Sequence, residues 1–165
     1  MTDVVCCDAV SADGLSRLLA SYGIGLQWVA DGQPIPGSHF GDPGAGLIDN
    51  NLYVRRDTPL HSFLHETCHY ICMDDGRRKQ LHTDAGGDYD EENAVCYLSI
   101  LLADHIQGFS SQRMMNDMDS WGYTFRLGSA HRWFEEDAED ARDWLQSYGI
   151  INRQSSPGGQ LRTSI

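Results

Sequence analysis

No stretch of this sequence is apolar for long enough to cross a bilayer: its most apolar segment, Tyr97 to Ala103, falls far short of the roughly 20 residues required. Positive charge is also scarce. Twelve Lys and Arg stand against 24 Asp and Glu, a formal charge of -12, the wrong sign for a surface that neutralises phosphates. Membrane insertion and direct nucleic-acid binding are therefore not expected, whereas basic partners suit such a field. The opening MTDVVCCDAV has no basic cluster followed by an apolar run, so a secretory signal is not expected either. The five cysteines are odd in number, with Cys6 and Cys7 adjacent, and do not suggest a disulfide framework. A reducing, cytoplasmic compartment is the expectation.

What is present belongs to a folded chain. Its 165 residues, 41% of them hydrophobic and with aromatics throughout, are enough for one core without staples. One domain is expected over 1–150. The tail 151–165, polar and rich in Gly and Ser, is expected to be flexible. Ser11 caps a predicted helix carrying Leu15, Leu18, Leu19 and Tyr22 at the 3.6-residue period, with Gly23 at its end. A strand follows within GLQWVADGQPIPG, then an irregular connection to about Gly46. GLIDNNLYVRR reads as a hairpin turning at Asp49, Asn50 and Asn51.

Thr58 and Pro59 open a second helix, expected to run to about Asp74 with Leu60, Phe63, Leu64, Cys68, Ile71 and Cys72 facing the core. The segment from Arg77 to Asp90 reads as a surface loop that could rim a cleft. A central helix begins near Asp90 with Ala94, Val95, Leu98, Leu101 and Leu102 on one face. Two more helices are expected, one capped near Ser110 with Met114, Met115, Met118 and Trp121 inward, and one from Ser129 to Tyr148.

The second helix contains His65-Glu66-Thr67-Cys68-His69, an HExxH sequence. Residues four apart on a helix lie one turn above each other, so both imidazoles can meet one zinc ion while Glu66 approaches a bound water. Zinc would lower that water's pKa, and Glu66, as general base, would take its proton. Cys68 and Cys72 are expected in the core, and His61 is expected to face solvent.

A third ligand should come from Glu91 or Glu92 at the start of the next helix. Helical phase favours Glu91, in register with Ala94, Val95, Leu98 and Leu102, because a carboxylate on a buried face needs a cation. Glu92 is the reserve. His82, Tyr89, His105, Tyr123 and His131 are candidate donors for a developing oxyanion, and sequence places none of them.

From about Ser21 to Ala103 the chain resembles the ImmA/IrrE-type metallopeptidases of the gluzincin group. The likeness lies in the hairpin GLIDNNLYVRR, the helix LHSFLHETCHYI and the segment EENAVCYLSILLA, with Glu91, Ala94 and Tyr97 in the order of that family's glutamate helix. Thr67 and Cys68 depart from its usual aliphatic-Gly pair, and the proline that often ends the glutamate helix is absent near Asp104. The resemblance implies an α+β zincin-like domain with a small, mainly antiparallel sheet. It also implies zinc held by His65, His69 and Glu91, catalysis by Glu66, and hydrolysis of a peptide bond in a protein, such as a basic repressor-type regulator. The alternative is a zinc-binding regulator that acts by binding a protein partner, and a metal-free interaction domain is a third reading.

Overall fold

The computed structural model describes residues 4–38, 41, 43–79 and 88–163. The chain is α+β: among these residues there are seven α-helices and a three-stranded sheet, with the first two helices packed on the sheet. Helix α1 (Ala12–Ala20) starts where the Ser11 hydroxyl accepts from Gly14 N at 3.2 Å and turns its buried Leu15 and Leu19 to the core. Strands β1 (Gly25–Trp28), β2 (Gly46–Ile48) and β3 (Asn51–Val54) follow, with β3 in the centre.

The sheet is mixed rather than mainly antiparallel. β2 and β3 form the expected hairpin, in which Asp49 takes the left-handed conformation at φ 52°. β1, however, pairs in parallel with β3, Gly25 opposite Asn51 and Trp28 opposite Val54. The long irregular passage between β1 and β2 carries the chain back so that β1 and β3 run the same way. That passage crosses close to the sheet at Gly46, where an added Cβ would lie 1.8 Å from the Pro36 carbonyl oxygen.

Helix α2 (Leu60–Cys72) opens one residue later than its proline suggests, since Pro59 is the extended residue before the first turn. Its six expected core residues, from Leu60 to Cys72, are all fully buried. α3 (Asp75–Lys79) then occupies the start of the expected loop, whose residues 80–87, His82 included, lie outside the described residues. α4 (Tyr89–Ala103) is capped by Asp88, which accepts from Glu91 N at 2.8 Å, and packs on α2.

α5 (Ser111–Trp121) buries Met114, Met115 and Met118, but Trp121 is half-exposed rather than inward. The last expected helix is two, α6 (Ala130–Glu136) and α7 (Glu139–Ser147). Between them Asp137 leaves helical geometry at φ -141° and pairs with Arg126 through two contacts of 2.6 Å.

The tail as far as Thr163 is docked, contrary to the expectation of flexibility. Arg162 N donates to the Ile71 carbonyl at 2.9 Å, Thr163 N donates to that of Tyr148 at 3.0 Å, and Ile151 bridges Pro157. Arg162 also lies over the Tyr148 ring, 4.0 Å from its centre, so the tail is held by hydrogen bonds and cation–π contact together with the buried Ile151 and the partly buried Leu161. Among the described residues, no helix is long and apolar enough to cross a membrane.

Candidate metal centre

Helical spacing puts His65 and His69 one turn apart on α2, a helix buried on nearly every side, both histidines included. Their rings meet nearly edge to face, centroids 4.6 Å apart, and their Nε2 atoms are 3.0 Å from each other. The carboxylate that α4 brings to these two nitrogens is that of Glu92. Its Oε1 lies 3.0 Å from His65 Nε2 and its Oε2 lies 3.3 Å from His69 Nε2. Tetrahedral donors about 2.0–2.1 Å from a zinc ion sit roughly 3.3 Å from one another. Two imidazole nitrogens and a carboxylate at these separations fit three corners of such a site.

Glu91, the ligand expected from helical phase, is not in this group. It is 2% exposed and its two oxygens accept from Arg77 at 2.7 and 2.8 Å, while Arg162 reaches Oε1 at 3.1 Å. The expectation that a carboxylate on this buried face needs a cation is met, but by two guanidinium groups. A bidentate arginine matches carboxylate geometry and leaves neither oxygen free to turn toward the histidines. Neither Arg77, beyond the end of α2, nor Arg162, in the tail, carries a sequence signal that would have linked it to Glu91.

Glu66 is 7% exposed and, with His65 and Glu92, lines a cleft of about 820 Å³ between α2, α4 and the residues after α5. Its carboxylate, His65 and His69 offer donor atoms within 4.8 Å of one another. Cys96, one turn beyond Glu92, forms a second such group with His65 and Glu92. Burial, followed by the Glu92 charge, pushes the Cys96 thiol up to about 12, so it stays protonated at neutral pH. Cys68 and Cys72 are fully buried core residues, as expected.

The site is electrostatically coupled. Burial works against charge on His69, yet hydrogen bonding and attraction to Glu92 outweigh it and raise its pKa. Burial likewise opposes the Glu92 charge, and the hydrogen bonds from His65 and His69 override it, holding the carboxyl well below its usual range. Nδ1 of both histidines is buried without a hydrogen-bond partner among the described residues.

His61 corrects another expectation. It is 1% exposed, with Nδ1 3.2 Å from the Tyr123 hydroxyl and its ring 4.9 Å from that of Trp121. Burial, and secondarily His65, lowers its pKa to about 4. Its four-residue spacing from His65 was the available signal. Of the oxyanion candidates, Tyr123 and Tyr89 line the cleft and His105 and His131 do not. Tyr123 stands edge-on to His65, ring centres 5.8 Å apart.

The cleft also carries Trp121, Phe125 and Trp133 and the carboxylates of Asp90 and Asp140, an aromatic and acidic wall. Comparison with known proteins gives no match to a family model, a curated protein or a solved structure.

Proposed function

We propose that the protein is a zinc-dependent hydrolase that cuts a peptide bond in a protein substrate. The observation that carries this reading is the convergence of His65 Nε2, His69 Nε2 and the Glu92 carboxylate within 3.0–3.3 Å of one another at the wall of an open cleft. Two imidazoles and one carboxylate form a donor set suited to zinc. A bound zinc ion supplies a Lewis acid that polarises a carbonyl and makes water acidic enough to ionise near neutral pH.

The chain's own groups do the rest. Glu66, next to His65 on the same helix and open to the cleft, accepts the proton of the attacking water and returns it to the leaving nitrogen. The aromatic wall excludes water from an extended substrate, and Asp90 and Asp140 favour basic residues near the cut. The choice of a peptide bond rests on the resemblance of LHSFLHETCHYI and EENAVCYLSILLA to the ImmA/IrrE-type peptidases. A basic regulatory protein is the substrate this charge distribution favours.

The test is metal analysis combined with cleavage of fluorescein-labelled casein. Wild type is expected to hold one zinc per chain and to cleave. Glu66→Gln should keep the metal and lose roughly 100- to 10,000-fold in rate. A chain that binds no zinc, or a Glu66→Gln variant as active as wild type, contradicts the proposal.

A further inference from the structure

His61 lies one turn ahead of His65 on α2 and brings a second polar pair to the cleft. Its Nδ1 and the Tyr123 hydroxyl are 3.2 Å apart, a single hydrogen bond that can run in either direction. Its Nε2 is buried and has no hydrogen-bond partner among the described residues. That atom decides the direction. If Tyr123 donated to Nδ1, a neutral His61 would carry its proton on Nε2, leaving a buried N–H without an acceptor among the described residues. If His61 donates from Nδ1, Nε2 keeps only an unused lone pair. Orphaned buried N–H groups are the rarer and costlier case.

The hydroxyl hydrogen of Tyr123 is then not used by His61. The phenol lines the same cleft as Glu66 and stands edge-on to His65. We propose that Tyr123 donates its hydroxyl hydrogen into the cleft, to the oxygen of the carbonyl under attack, and that His61 is the positioning residue that holds the phenol in that orientation. The catalytic part rests on the hydrolytic reading above. It supplies a donor aimed at charge that develops only in the transition state, where a hydrogen bond accelerates reaction rather than tightening binding.

Two measurements on the zinc-loaded full chain test it. Nitrogen-15 NMR of the His61 ring reads the tautomer without any turnover. Hydrogen on Nδ1 is expected, and hydrogen on Nε2 overturns the proposal. Casein cleavage reads the role of the donated hydrogen. Tyr123→Phe should lower kcat about 100-fold or more while KM and zinc content stay unchanged. His61→Asn keeps an amide N–H near the Nδ1 position and should remain within several-fold of wild type, whereas His61→Leu should lose most of the rate. In the Tyr123→Phe background, His61→Leu should cost nothing further, because the two residues act as one unit. Tyr123→Phe within about threefold of an active wild type overturns this inference alone. Wild type that holds zinc and cleaves nothing overturns the hydrolytic reading, and the catalytic role of Tyr123 with it.

Discussion

Glu91 and Glu92 differ by one position and about 100° of helical rotation, and that rotation sends one carboxylate to a pair of arginines and the other to a pair of histidines. Sequence periodicity identified the buried glutamate correctly and misread its partner, because guanidinium groups from α3 and the tail cannot be placed from local pattern. The two glutamates should therefore fail differently. Glu91→Ala leaves Arg77 and Arg162 without their buried counter-charge and should cost about 3–5 kcal/mol of stability in urea unfolding, with zinc stoichiometry intact. Glu92→Ala, at a half-exposed position, should lower the unfolding midpoint of the metal-free protein less than Glu91→Ala does and weaken zinc binding by at least about 100-fold in competition with a chelator. His61 makes a pH prediction. Its ring faces Trp121, Tyr123 and His65, and its folded pKa of about 4 lies below the ordinary value of 6.5. The unfolded chain then takes up the extra proton between those values, so stability is lost as pH falls from 6.5 toward 4, by at most about 3 kcal/mol. His61→Phe should flatten that part of the urea midpoint against pH, and an unchanged slope would contradict the assignment.

Helix α2 was legible because its apolar period, its proline and its length all agree, and the same holds for α1 with its Ser11 cap. Strand direction was not. GLIDNNLYVRR announces its own hairpin through a turn sequence, but the parallel pairing of β1 depends on a connection with no periodic signal. The split between α6 and α7 turns on Asp137, whose partner Arg126 lies before α6 and is invisible to helical propensity. The tail is the largest misreading at this scale. Gly and Ser content suggested a loose end, while Arg162 ties Ile71, Cys72 and Glu91 together from beneath α2. Ending the chain after Ile150 should thus destabilise the fold by several kcal/mol, since it removes Arg162 from a buried carboxylate. A truncated chain with the same urea midpoint as the full one would show the docked tail to be ornamental.

At the scale of the molecule, a formal charge of -12 and a cleft bearing Asp90 and Asp140 work in the same direction. Cleavage of a lysine-rich peptide should slow as ionic strength rises from about 0.01 to 0.15 M and the screening length shrinks from roughly 30 to 8 Å, with kcat/KM falling more than kcat. Salt-independent kcat/KM would remove charge from the account of substrate choice. Both ideas depend on whether α2 and α4, packed as they are, present three donors to one ion. Crystals of the zinc-treated protein, measured at the zinc absorption edge, address that directly through the anomalous difference map. The account predicts one peak within about 2.0–2.2 Å of His65 Nε2, His69 Nε2 and a Glu92 oxygen, with Glu91 still on its arginines. A map without density between those side chains, or a peak held by other residues, would contradict it.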